Sequence, residues 1–187
     1  MNEQIKKEIA TSMADFSLPR YNELPTLGFF LEQTVEYINQ VLKPLNGLQI
    51  TSSMVRNYVK QGLIENPVKK KYNTDQIGYL ICITILKQVA SLEDLSRLFS
   101  RQQITYTSPI AYNYFCNELE NALFYVLGLK EEMDRVGVTD SLEKDVLRSA
   151  IIAVSNIIFI NKCFEYINDK QNSKPLNWAA YLFDLFF

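Results

Sequence analysis

The sequence predicts an all-α chain: a module of short capped helices carrying at most a small β-wing, then a helical module. Three observations lead there. Apolar residues recur at i, i+3, i+4 and i+7 through most of the chain, the period of helices with one buried face. The six glycines and six prolines cluster between those periodic stretches, which argues for long helices and few turns. Apolar residues make up 48% of 187, enough for a sizeable core in one ordinary domain or in a small module joined to a helical one.

Taken in order, Ile5, Ile9, Met13 and Phe16 form a short amphipathic arm over residues 1–17, followed by an extended connector from Leu18 to Pro25. A helix follows from Thr26 to about Leu42, with Leu27, Phe30, Leu31, Thr34, Val35, Ile38, Val41 and Leu42 inward, and Pro44 to Gly47 ends it. Thr51 is the N-cap of the next helix and Gly62 its stop. Leu63 to Tyr72, with Pro67 and three successive lysines, reads as a loop or a small wing. Thr74 caps a strongly apolar helix over about 75–89, and Ser91 with Glu93 and Asp94 opens another. The polar run from Ser100 to Tyr106 breaks the pattern and divides residues 18–100 from 101–187. Beyond it, Thr107, Ser108 and Pro109 open a helix that runs to about Arg135 and stops at Gly137. Thr139 or Asp140 begins a second long helix to about Asp169, apolar on most of its surface. The chain closes on a cluster holding Trp178, Tyr181, Phe183, Phe186 and Phe187.

Composition narrows the chemistry. The chain has no histidine, which removes Ser-His-Asp and Cys-His catalysis and every His-containing zinc site. Cys82, Cys116 and Cys163 are far apart among apolar helical residues, so they read as buried structural thiols without a disulfide framework, as suits a reducing cytoplasm. The most apolar stretch, Ser149 to Ile160, is too short to span a bilayer, and Lys6 and Lys7 have no apolar segment behind them. A cytoplasmic protein without cofactor, metal or membrane partner is expected. Net charge is −2 but unevenly spread. From Gln40 to Ala90 seven basic residues stand against two acids, whereas from Arg101 onward eight stand against eleven. A basic first half beside an acidic second half suits a DNA-binding module joined to a protein- or ligand-facing one.

The basic half holds the candidate site. Read as a helix, residues 52–61 put Ser53, Arg56, Asn57 and Lys60 on one face and Ile50, Met54, Val55, Tyr58 and Val59 on the other. A short helix with that polar front suits a DNA major groove, where such side chains bond base edges and phosphates.

At Met54 to Ile64, followed by the lysine connector and Tyr72 to Ile77, the sequence resembles the MerR-like winged helix-turn-helix. There a recognition helix of the form T-x-R-Y-Y-E-x-x-G-L-[IL] precedes a wing and a helix opening Y-[ST]-x-x-[DQ]-[IL]. Arg56 falls at the family's Arg, Tyr58 at its second Tyr, Gly62, Leu63 and Ile64 at its G-L-[IL], and Tyr72 at the end of its wing. From Leu18 to Phe99 the chain is also similar to a bacterial domain-of-unknown-function family regarded as MerR-like regulators. The resemblance implies that Thr51 and Ser52 touch phosphate at the helix N-terminus, that Arg56 contacts backbone or a guanine edge, and that Lys69, Lys70 and Lys71 hold wing-side phosphates. Ser53, Asn57 and Lys60 join from the face argument, and Tyr72 completes the candidate DNA-binding set. Asn57 stands where many members have the first Tyr and Val59 where they have Glu; the wing lacks the usual Gly. The family's heptad coiled coil is missing, and the two helices after Ser108 take its place in dimerisation.

Plainer readings stand beside these. The polar face of residues 53–60 is also what any solvated helix surface looks like. The lysine run by itself reads as solvated charge, and Tyr58 and Tyr72 as packers at the core edge. The aromatic stripe of Tyr106, Tyr112, Tyr114, Phe115, Phe124 and Tyr125 is core or dimer interface in one reading and the wall of a small-molecule effector pocket in the other. Asn156 and Asn161 are candidates for setting register in a helical interface. The expected function is a non-enzymatic, sequence-specific transcriptional regulator that binds double-stranded DNA as a homodimer. The alternative is a helical interaction or adaptor protein on the same scaffold without DNA binding.

Overall fold

The computed structural model describes residues 3–137 and 141–173. Among them are seven α-helices and one two-stranded ribbon: α1 Glu3–Ser12, β1 Phe29–Phe30, α2 Leu31–Leu42, α3 Ser52–Lys60, β2 Lys71–Tyr72, α4 Thr74–Leu86, α5 Leu92–Thr105, α6 Ser108–Val126 and α7 Leu142–Ser173. The described residues are therefore helical apart from that ribbon and the loops between elements. The closing aromatic cluster from Trp178 to Phe187 and the helix start at Thr139 or Asp140 lie outside the described residues.

The core is organised around α4. Gln76, Ile77, Gly78 and every residue from Leu80 to Leu86 are buried, so the helix is covered on all sides rather than along one stripe. α2, α5, α6 and α7 all pack on it. Gly78 lets α6 approach closely, since a Cβ there would lie 3.2 Å from the Tyr112 ring. α6 and α7 form the most extensive helix pair, sealed on the α7 side by Ile151, Val154 and Ile158. The N-terminal arm buries Ile9, Met13 and Phe16 against this body.

A charged tie anchors the start of the connector between the arm and the rest. Arg20 meets Glu120 of α6 through two bonds of 2.7 Å, and the Leu18 amide donates to the same carboxylate at 2.9 Å. A paired, charge-assisted contact of this geometry holds position as well as energy. It raises the Arg20 pKa above its already high ordinary value.

Several expected boundaries move. The helix expected from Thr26 begins at Leu31, because Phe29 and Phe30 extend to pair antiparallel with Tyr72 and Lys71. Leu27 and Phe30, expected inward, are 88% and 47% exposed. Asn73, not Thr74, caps α4: its side chain accepts from the Gln76 amide while Gln76 returns a bond to the Asn73 amide. Thr74 donates instead to the Pro25 carbonyl. The polar run from Ser100 stays helical through Thr105. α6 stops at Val126, well short of Arg135, because Gly128 at φ +76° turns the chain and Leu129 N bonds back to the Phe124 carbonyl. By length and composition the α7 segment Leu142–Asp169 could cross a bilayer, so shortness is no ground for excluding it. Its inward face is the core packing just described.

Replacing Glu120 with Ala leaves the half-buried Arg20 guanidinium with the Leu18 carbonyl at 3.1 Å but no carboxylate, and the Leu18 amide without its acceptor. The expected loss is about 2 kcal/mol of unfolding free energy. Urea unfolding of the variant checks it, and an unchanged midpoint refutes the role given to this tie.

Candidate nucleic-acid interface

The turn between α2 and α3 is fixed by one side chain. Asn39 of α2 donates to the Ile50 carbonyl at 3.0 Å and accepts from the Ile50 amide at 2.9 Å. That pairing mimics a strand contact and holds the residue just before the cap. Lys87, from the end of α4, donates to the Gln49 carbonyl at 3.1 Å. Thr51 then caps α3 as expected, its hydroxyl accepting from the Met54 amide at 3.3 Å, and Gly62 follows the helix end. Val55 and Tyr58 are buried, with Met54 and Val59 half-buried at the edge.

The opposite face is open. Thr51, Ser53, Arg56, Asn57 and Lys60 are all exposed, and Ser52 is half-buried at the first turn. Few contacts restrain them: Ser53 bonds Thr51 at 2.9 Å, and Asn57 accepts from Gln61 at 3.3 Å. Arg56 lies 3.8 Å from Glu32 of α2, both side chains mostly in solvent, so this pair is screened and easily exchanged for another anion.

The wing adjoins that face. β1 pairs with β2 in the register Phe29 to Tyr72 and Phe30 to Lys71, and the Lys71 ammonium sits 5.3 Å above the Phe30 ring. Glu32, the neighbour of Arg56, is two residues beyond Phe30. This chain of contacts makes the α3 front and the root of the wing one continuous surface. Tyr72 is only 4% exposed, and its ring belongs to the core rather than to any ligand surface. Of the ten candidate residues it alone is turned away.

The tip of the wing is unusual. Val68 bridges to Lys71, whose amide bonds the Val68 carbonyl at 2.9 Å, so Lys69 and Lys70 are the two central residues of a hairpin turn. Both have positive φ, 50° and 64°. This is the type I′ turn, whose central positions favour Asn-Gly because side chains with a Cβ are strained there. Two lysines occupy it, both exposed.

A family model described as a domain of unknown function, DUF1836, matches residues 19–115. The chain belongs to that family. No curated protein and no solved structure matches it. The match ends inside α6, so the DUF1836 region takes in the β1–β2 ribbon, α2 to α5 and the first part of α6. Nothing in it suggests cysteine chemistry. Cys82 and Cys116 are buried free thiols, burial pushing the Cys116 pKa up to about 12 and that of Cys82 well above its ordinary value.

Asn39 is the positioning residue that periodicity does not reveal, because it lies among the polar positions of α2 and its partner is eleven residues away. The turn strain carries a direct prediction. Exchanging Lys69→Asn together with Lys70→Gly relieves two left-handed lysines and raises stability by about 1–2 kcal/mol. Chemical denaturation reads the gain; a loss of stability shows that the lysines are not strained in this turn.

Proposed function

We propose that this DUF1836 chain is a MerR-like, sequence-specific DNA-binding transcriptional regulator, non-enzymatic and acting as a homodimer. The observation that carries the reading is the pair of strained lysines at the wing tip beside the open Ser53, Arg56, Asn57 and Lys60 face. Folding alone favours Asn-Gly at that turn; two extended cations there serve a partner with regularly spaced negative charge. α3 enters the major groove, with Arg56 and Asn57 toward base edges, Thr51, Ser52, Ser53 and Lys60 toward the flanking backbone, and Lys69 to Lys71 on phosphates beyond the groove. Tyr72 supports the wing from inside.

The homodimer reading has its own support. The outward face of α7 carries Leu142, Val146, Ser149, Ala153, Asn156, Ile160 and Ile167, spaced alternately by four and three residues up to Ile160 and by seven thereafter, with Phe164 beside them. All are exposed; Leu142 is 72% and Phe164 59% accessible. That is a coiled-coil-like spacing, over a shorter stretch than the family's heptad coiled coil, on a helix whose other side is already occupied, and it runs for ~38 Å. The partner is a second copy of this chain. Run antiparallel about its middle, the seam sets small Ser149 of one copy against Ile160 of the other, Ala153 against Asn156, and Leu142 against Ile167. Run parallel, it stacks small on small at its centre and leaves voids.

Selection of bound sequences from a random duplex pool tests DNA binding and site symmetry together. A recovered motif with two half-sites is expected. Changing Lys69 and Lys70 to Asn-Gly should weaken binding to all sequences and reduce the salt slope by about 2, although it stabilises the fold. Arg56→Ala should lose about 1–3 kcal/mol at particular base positions. Absence of duplex affinity at low salt sinks this reading and leaves the adaptor.

For the seam, Ile160→Glu combined with Phe164→Glu should convert a dimer into a folded monomer, read by sedimentation at micromolar concentration. A monomeric parent chain, or a dimer unmoved by the two changes, refutes α7 as the interface.

A further inference from the structure

Beneath α5 lies a cavity of about 850 Å³, walled by α4, α5, α6 and the start of α7. Its size falls in the usual range for small-molecule sites, and its wall is mostly apolar. Rings make up much of that wall: Tyr106, Tyr112, Tyr114 and Phe115 of the aromatic stripe, with Tyr79 of α4 and Phe99 of α5. Phe124 and Tyr125 do not line it. The cavity explains an oddity of α5. In fourteen residues that helix fully buries only Leu95, leaving Leu98 and Phe99 half-buried and Ile104 86% exposed at the rim. The apolar face of α5 is folded over a space that its own neighbours do not fill.

The charges around that space cancel. Among the described residues its wall holds two bases, Arg101 and Lys144, and two acids, Asp75 and Glu143. Each is already answered. Arg101 Nε stands 2.7 Å from Glu143, and Asp75 accepts a 2.6 Å bond from the Tyr21 hydroxyl. The Lys144 ammonium lies 5.4 Å from the Tyr106 ring and 5.3 Å from the Tyr114 ring. Ring hydroxyls in the wall are engaged as well: Tyr79 donates to Gln102 at 3.2 Å and Tyr114 to Glu118 at 2.9 Å. The Tyr112 hydroxyl has no accessible surface, so that residue meets the space with ring carbons. An ion entering here would shed its water and find no spare counter-charge, which is costly. A neutral molecule escapes that cost, and a flat ring gains edge and face contacts with the wall beyond the area it buries. Tyr79 and Phe99 already stand in such a relation, their centroids 5.4 Å apart and their planes tilted by 59°.

We infer that this cavity binds an uncharged aromatic molecule, its rings held between α5 and α6 against Tyr79, Phe99 and Tyr106. Binding draws α5 onto the ligand and completes the burial which that helix lacks. Binding of this kind does not rest on DNA recognition.

The test uses the full chain and two fluorescent probes that share one body, phenylnaphthylamine and its sulfonate, anilinonaphthalene sulfonate. The neutral probe should brighten on saturable binding and bind about tenfold tighter than the sulfonate. Decanol, an uncharged competitor without a ring, should bind about fivefold more weakly than the neutral probe. Hydrogen exchange should slow in α5 on adding phenylnaphthylamine. Glu143→Gln leaves the wall with an excess base, so it should tighten the sulfonate several-fold and leave the neutral probe unmoved. Ala111→Trp, which fills the cavity, should abolish binding, and Thr105→Trp at the exposed rim offers the same block if the first variant folds poorly. The inference is overturned by equal affinity for the two probes, by no saturable binding of the neutral one, or by decanol binding as tightly as the rings. Binding that survives both tryptophans, or a sulfonate unmoved by Glu143→Gln, overturns it equally. None of these readouts contains a duplex, so their failure and a failure of DNA binding are separate results.

Discussion

Burial of α4 on every side is the constraint on which the rest of the structure depends. A helix with no solvent face must have every lateral position covered, and in this chain the cover comes from four different helices. Such a helix is also an unforgiving place for polar groups. Thr84 bonds its hydroxyl back to the Leu80 carbonyl, and Gln76 satisfies both ends of its amide, on the Asn73 amide and the Glu65 carbonyl. Those last two bonds tie the buried helix to the segment that becomes the wing. Position and orientation of β2, and through it β1 and the entrance of α2, are therefore set by where α4 sits.

From that anchor the candidate interface is built by short polar links rather than by more apolar packing. Asn39 fixes Ile50, Lys87 fixes Gln49, and Thr51 caps the helix that follows. α3 has only two fully buried residues in nine, too few to hold a helix of its length in place. The links supply the remaining restraint and leave the outer face without structural duties. For the DNA-binding reading proposed above this division matters: a rigid backbone carries side chains whose own contacts, such as Arg56 with Glu32, are weak enough to exchange.

Much of this was legible in the residues, and the exceptions have physical causes. Thr51, Gly62, Ser91 and Pro109 act locally, so their capping and first-turn roles could be read directly, as could the polar front of α3. Leu27 and Phe30 fit the helical period of α2 but lie before it, because ribbon pairing with residues 71 and 72 overrides a pattern that continues through both. Gly128 ends α6 nine residues before Gly137, since two glycines offered the same stop and only the tertiary path selects between them. The lysine turn was hidden for the opposite reason: lysine is the wrong residue for positive φ, so no propensity rule points to a hairpin tip there. The α7 seam could not be separated from the core stripe because both are apolar. Only the packing of Ile151, Val154 and Ile158 on α6 and α4 shows which heptad positions remain outside.

Those hidden features share a property that bears on function. The strained lysines, the apolar space beneath α5 and the exposed seam of α7 each lower the stability of the isolated chain. Each could be removed by ordinary substitutions: Asn-Gly at the turn, a larger side chain at Ala111, charged residues along the seam. The three departures are also of different kinds: cationic strain at a convex tip, an apolar concavity with a charge-balanced wall, and a long apolar ridge. One partner cannot answer all three. In the reading proposed above, a polyanion answers the first and a second copy of the helix the third.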